Sequence, residues 1–202
     1  VTLARDGFKI TERLAGGLER LIEGRGSSFP GTVQSFSKDG YPYSSGEMLV
    51  QTDLGRTLER IAADGRDGFY AGETARLLVA EMERGGGIIT LEDLARYQAR
   101  ERTPIHGTYN GYDIISMAPP SSGGIAIVQM FNILEGYDLA AMGHNSADYI
   151  HHLAEVMRRA FRDRAHFVAD VDFVDVPLHH LTSKVYAESL RAGIASRAAG
   201  VS

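Results

Sequence analysis

Apolar residues recur at helical spacing along most of the chain. Between Thr11 and Ile22 the side chains of Leu14, Leu18, Leu21 and Ile22 share one face, although Gly16 and Gly17 weaken that helix. After a loop over Gly24–Gly31, Leu54, Leu58 and Ile61 align over 54–63, and Leu77, Leu78 and Met82 line a helix from Gly72 to Arg84. Gly85-Gly86-Gly87 ends it, because glycine accepts the left-handed geometry beyond a helix C-terminus. Thr90, followed three residues later by Asp93, predicts a capping box for a short helix through Tyr97. The longest periodic stretch is capped by Asn145 or Ser146 and runs to about Val168. Its apolar stripe is Ile150, Leu153, Met157, Ala160 and Phe161, and its outer face carries Arg158, Arg159, Arg162 and Arg164. A last helix, capped by Thr182, extends to about Ile194. The small and polar residues 195–202 are expected to be a frayed tail.

Strand signals are scarcer. Val33–Phe36 predicts a short extended piece before the turn dipeptide Asp39-Gly40. Ile105–Tyr109 and Tyr112–Met117 flank Asn110-Gly111, a dipeptide that tolerates the two positive φ angles of a type I′ turn, so a β-hairpin is expected. Pro119-Pro120 stops its second strand, and an apolar helix over Ile125–Leu134 follows, closed by Gly136. Two strands are marginal by themselves, so the hairpin is expected to join a larger sheet whose other strands lie outside this chain. The expectation is a helix-rich α+β fold in which residues 1–202 make a single partial domain.

Composition narrows the chemistry. Of 202 residues, 44% are hydrophobic and 23% charged, enough to build a core and to exclude global disorder. The net charge of −5 gives no electrostatic reason to bind nucleic acid. Absence of cysteine excludes disulfides, thiol catalysis and Cys–zinc sites. No apolar run approaches the length of a membrane-spanning helix. A chain that starts with Val1 is expected to be a piece of a longer protein.

The strand-to-helix junction Ser121-Ser122-Gly123-Gly124 has two readings. Free backbone N–H groups and the helix dipole suit an anionic substrate group there. Alternatively a serine caps the helix and the glycines permit the turn, which is the preferred reading. No Walker spacing and no Gly-x-Ser-x-Gly elbow are present. Five of the seven histidines fall between His151 and His180. One of His151 and His152 with Glu155, joined by His166, Asp170 and Asp172, could form a metal shell. Adjacent histidines point to different faces, however, and Asp170–Asp175 reads as a solvated turn, so no metal is expected. Glu155 and Asp163 interleave with the arginines, which predicts a salt-bridged surface. Serine, histidine and aspartate are all present, but nothing in the sequence pairs them into a triad.

Taken together, several ordered motifs resemble the large subunit of gamma-glutamyltransferases. The central one is Pro119-Pro120-Ser121-Ser122-Gly123-Gly124-Ile125 with Ile127-Val128-Gln129 and Asn132-Ile133-Leu134-Glu135. Upstream lie Leu3 to Phe8, Gly68-Phe69-Tyr70, Gly86 to Thr90 with Glu92-Asp93-Leu94, Glu101 to Ile105, Gly107, and Tyr109-x-Gly111-Tyr112. Downstream lie Ala160-Phe161-x-Asp163-Arg164, Asp170-x-Asp172-Phe173 and Val176-Pro177. The resemblance covers about Leu3 to Ile194 and implies the C-terminal portion of that large subunit. It implies part of an N-terminal-nucleophile hydrolase (αββα) fold and a precursor that cuts itself into two subunits. It also implies a threonine nucleophile at the start of the small subunit, with its α-amine, or a water held by that amine, as base. That threonine attacks the gamma-glutamyl amide of glutathione or a relative, and water or an amino acid takes the acyl group. Backbone N–H groups stabilise the oxyanion. The threonine-led motif and the arginine that grips the substrate carboxylate are expected outside this chain, the former just beyond Ser202 and the latter before Val1. No catalytic residue is therefore carried onto it, and no cofactor. Its partners would be the remainder of the large subunit and the small subunit, with self-association of the isolated piece. A periplasmic or extracellular location is implied. The charged loop lacks the glycine expected before its aspartates. The alternatives are an acylase of cephalosporin-type or poly-gamma-glutamate substrates on the same scaffold, and a non-catalytic helical interaction module.

Overall fold

The computed structural model describes residues 1–200; the last two positions of the expected frayed tail, Val201 and Ser202, lie outside them. The chain divides into two units, Val1–Ala99 and Arg100–Ser202.

The first unit opens with α1 (Thr2–Asp6), β1 (Phe8–Lys9) and α2 (Glu12–Glu23). Thr11 caps α2 by accepting a hydrogen bond from the Leu14 N–H at 3.3 Å. Leu18 of α2 packs with Ile10 and with Leu49 of β2 (Met48–Leu49), the antiparallel partner of β1. The segment expected to be extended at Val33–Phe36 is instead part of a helix, α3 (Pro30–Phe36). Proline supplies a pre-set φ in the first turn, where its missing N–H costs nothing. At the other end the Ser37 hydroxyl donates to the Val33 carbonyl at 2.6 Å and closes the helix. The Asp39-Gly40 turn forms as expected, with Lys38 and Tyr41 bridged across it. Then follow α4 (Thr52–Asp64), α5 (Asp67–Tyr70), α6 (Gly72–Gly85) and α7 (Leu91–Arg96). Gly86 stops α6 at φ 72°, and Thr90 and Asp93 form the reciprocal capping box of α7. Arg66 then donates to the carbonyls of Leu94, Ala95 and Tyr97, groups the end of α7 would otherwise leave open.

The second unit is built around α8 (Gly123–Leu134). Strands β3 (Ile105–Tyr109) and β4 (Tyr112–Ser116) pair antiparallel through Asn110 and Gly111, whose φ angles of 47° and 83° are those of the expected turn. Ile105 and Ile114 face α8, which comes close because Gly107 has no side chain: a Cβ there would sit 2.6 Å from a Val128 methyl. Ile115 and Met117 are on show at 65% and 71% exposure. Short α9 (Leu139–Met142) leads to α10 (Ala147–Phe167), capped by Ser146 rather than Asn145. α11 (Leu178–Leu181) and α12 (Lys184–Ala192) complete the unit. The cap of α12 is Ser183 and not Thr182, because Thr182 closes α11 and its hydroxyl is already used, donating back to the Leu178 carbonyl. The buried side of α8 meets two apolar groups, one around Ile105, Ile125, Val128, Val176 and Leu181, the other around Ile133, Leu134, Val156 and Ala187.

Helix α10 departs from its sequence pattern. The expected apolar stripe is largely outside: Ile150, Met157 and Phe161 are about half exposed, whereas His152, Glu155, Val156, Ala160 and Asp163 are buried. The inward face is thus mixed, and its two carboxylates are held by donors from inside the unit. The tail after α12 touches α10 at three described points, Gly193, Ala195 and Gly200. The described fold is helix-rich α+β with two small two-stranded sheets.

Candidate functional site

The junction Pro119-Pro120-Ser121-Ser122 carries the chain from β4 into α8, and its geometry separates the two serines. Ser122 precedes α8 with helical backbone angles (φ −81°, ψ −13°) and its side chain caps nothing. A capping serine needs extended backbone to turn its oxygen toward the helix's free N–H groups. The Ser122 hydroxyl instead accepts from Arg164 Nε of α10 at 2.8 Å. Only Ser121 reaches the first turn, accepting from the Gly123 N–H in a long 3.4 Å contact. The expected serine cap is therefore corrected to a weak one made by Ser121 alone. Gly123 is surrounded by space, but Gly124 is not: a Cβ there would lie 2.3 Å from the Met117 carbonyl oxygen.

Beside this junction is an open cleft of about 700 Å³ lined by Ile115, Met117, Pro119, Ser121, Arg100 and Arg102. Its walls are mainly apolar and its cationic groups are the two arginines. Arg102 forms a two-pronged ion pair with Asp172 at 2.9 and 2.6 Å, and that pair holds the Asp172 carboxyl below its ordinary range, with Arg100 adding to the effect. With Arg102 paired to Asp172, an apolar group that carries a carboxylate would have Arg100 to meet in this cleft. Among the described residues neither serine hydroxyl meets a histidine, so no nucleophile–base pair forms there.

The other candidate residues are scattered. His151 Nε2 meets the Ala195 carbonyl, His152 Nδ1 the Asp148 carbonyl and His166 Nδ1 the Arg162 carbonyl. Asp170 turns back on the Asp172 N–H. Among the described residues no group of three metal-capable side chains converges. The arginine face is tied up as expected, but its partners are buried. Glu155, 2% exposed, accepts from Arg159 at 2.7 Å and Arg158 at 2.5 Å. Chiefly the Arg159 bond, against the opposing effect of burial, holds its carboxyl near pKa 2, so it stays ionised well below the ordinary carboxyl range. Asp163, also 2% exposed, accepts from Gln129 Nε2 at 2.8 Å, Tyr186 Oη at 2.7 Å and Arg162. The sequence reading missed this network. Its signal was Gln129 standing in a helix otherwise apolar nearly all round.

Replacing Ser122 by alanine removes one exposed side-chain bond and no cap, and should change stability by less than about 0.5 kcal/mol, in line with other surface changes. Urea unfolding of Ser121→Ala and Ser122→Ala checks this. A loss near 1 kcal/mol for Ser122→Ala would restore it as the cap.

Comparison with known proteins agrees along the whole chain. The family model described as gamma-glutamyltranspeptidase matches residues 1–202. A glutathione hydrolase proenzyme of Pseudomonas sp. (strain A14) is 50% identical over 167 residues, 83% of this chain and 29% of that protein. An acylase ACY 1 proenzyme of Pseudomonas sp. (strain SE83) is 43% identical over 199 residues, 95% of this chain and 34% of that protein. The crystal structure of Helicobacter pylori gamma-glutamyltranspeptidase superposes with a TM-score of 0.92 at 40% identity, over 98% of this chain and 57% of that one. The chain thus spans about a third of the length of these curated relatives.

Proposed function

The chain belongs to the gamma-glutamyltranspeptidase family, and from that premise we propose that it is a scaffold portion of the large subunit of a gamma-glutamyltransferase or glutathione hydrolase. In this reading residues 1–202 make one partial domain of an αββα fold. The parent is a proenzyme cut into two subunits, and the threonine that opens the small subunit performs acyl transfer from glutathione or a related gamma-glutamyl amide to water or an amino acid. The observation that carries the proposal is the uninterrupted match over residues 1–202, joined by a near-complete superposition at a TM-score of 0.92. The apolar groups left outside, Ile115 and Met117 on the hairpin and Ile150, Met157 and Phe161 on α10, support it. Surfaces of that kind are ordinarily covered by a partner.

This chain contributes no catalytic group in the proposal. The cleft beside Ser121, Ser122, Gly123 and Gly124 is at most a place where a carboxylate-bearing segment rests. The purified chain should therefore show no turnover of a chromogenic gamma-glutamyl anilide, and co-expression with the remainder of the large subunit and the threonine-led small subunit should restore it. Turnover by the chain alone sinks the scaffold reading. A second reading, an acylase on the same scaffold, is favoured by the 43% identity to the ACY 1 proenzyme. Assaying the assembled enzyme with a cephalosporin-type amide against the gamma-glutamyl anilide separates the two.

A further inference from the structure

The segment that leaves α12 does not run free. It returns along α10 and is fastened by three side chains of that helix. Arg159 holds its start, donating from Nε to the Leu190 carbonyl at 3.1 Å and from Nη2 to the Gly193 carbonyl at 2.6 Å. His151 Nε2 donates to the Ala195 carbonyl at 2.7 Å. Glu155, one turn further along, accepts the Gly200 N–H on Oε1 at 3.2 Å. The last contact is unusual for its cost. A carboxylate 2% exposed is expensive to keep charged, and it is kept charged by two arginines while one of its oxygens also serves a backbone N–H from the far end of the segment. The fit is close: a Cβ on Gly200 would stand 3.0 Å from Glu155 Oε2 and 3.5 Å from Arg158. Ile194, at the start of the segment, packs against the apolar group around Ile133 and Leu134, and between Ala195 and Gly200 lie only small side chains and the exposed Arg197.

We propose that Glu155 is the positioning residue of a strap that binds residues 193–200 to α10 and so presents the continuing parent chain for the cut between its two subunits. The second half of this statement rests on the two-subunit reading above. The strap itself rests on the contacts alone. No bond forms or breaks at Glu155; its oxygen holds a backbone donor in place.

The test uses the full parent precursor and three variants. Gly200→Pro removes the N–H donor and leaves Glu155 with both arginines. Glu155→Gln weakens the acceptor, and Gly200→Ala keeps the donor but adds a methyl 3.0 Å from Glu155 Oε2, so it measures the steric part of the change. Two rates are read in each: trypsin cleavage after Arg197, and spontaneous conversion of precursor to subunits. A charge-assisted hydrogen bond of ordinary strength, once lost, should speed cutting after Arg197 about tenfold or more in Gly200→Pro and Glu155→Gln. Subunit conversion should slow several-fold in the same two variants and by less in Gly200→Ala, which keeps the N–H donor. Because Gly200→Pro leaves the buried ion cluster intact, a folding defect in Glu155→Gln does not decide the matter. Wild-type protection of Arg197 in Gly200→Pro overturns the strap. Lost protection with unchanged conversion overturns its presenting role. A wild-type precursor that never converts refutes the two-subunit reading instead, while the trypsin rates still judge the strap.

Discussion

Gly124→Ala is expected to unfold the second unit or cost it well over about 3 kcal/mol, beyond the usual range for overpacking. The added methyl would lie 2.3 Å from the Met117 carbonyl oxygen and 3.2 Å from both the Met117 carbonyl carbon and Ser116 Cβ. Two of these three atoms are backbone, so no rotamer change relieves the clash. Either α8 must lift off the end of β4 or the hairpin must bend. Both movements would open the contact of Ile105 with Ile125 and Val128, the centre of one of the unit's two apolar groups. Gly123→Ala is the control, since a Cβ there meets only Ser121 Oγ at 3.6 Å. Chemical denaturation of the two variants should separate them by several kcal/mol. Equal stability would mean that the junction is softer than the packing indicates.

Asp163→Ala should be the second severe change, costing about 3–5 kcal/mol, as is typical when one partner of a buried charged cluster is removed. Three donors converge on this carboxylate: the Gln129 amide from α8, the Tyr186 hydroxyl from α12 and the neighbouring Arg162 guanidinium. Truncation strands Gln129, which is 1% exposed and has no route to solvent. Tyr186→Phe removes one donor only and should cost about 1 kcal/mol, the worth of a single hydrogen bond. Urea unfolding of both variants measures the contrast. A loss below that of Tyr186→Phe would show that the cluster gives the unit little.

Much of this was legible in the residues, and the reasons divide cleanly. Features encoded within three or four residues came through: the Asn110-Gly111 turn, the Thr90–Asp93 box and the Gly86 stop each depend on local backbone chemistry alone. Family membership was legible too, from the spacing of motifs between Leu3 and Ile194. Features decided by competition between two local signals, or by partners distant in sequence, did not come through. Thr182 has the chemistry of a cap, but the end of α11 claims its hydroxyl first. Val33–Phe36 reads as an extended piece before the Asp39-Gly40 turn, yet Pro30 and Ser37 close a helix around it. The error at α10 has the same origin. Hydropathy assigns Ile150, Met157 and Phe161 to the inside, while Glu155 and Asp163 turn inward, the first held mainly by Arg158 and Arg159 of α10 itself and the second by Gln129 of α8, Tyr186 of α12 and Arg162. Ser121 and Ser122 looked equivalent in the sequence; only backbone angles and the position of Arg164 distinguish them.

That inversion on α10 sets the helix's rotational alignment in a way that greasy contacts cannot. An apolar face tolerates a small roll, because one methyl substitutes for another. Asp163 has no such latitude: a slip of one residue turns it about 100° around the axis, away from Gln129 and Tyr186. The alignment is written in hydrogen bonds on the inner side, so the outer side is relieved of that duty. The positions of Ile150, Met157 and Phe161 can therefore be rewritten for whatever lies against them without disturbing how the helix is seated beneath.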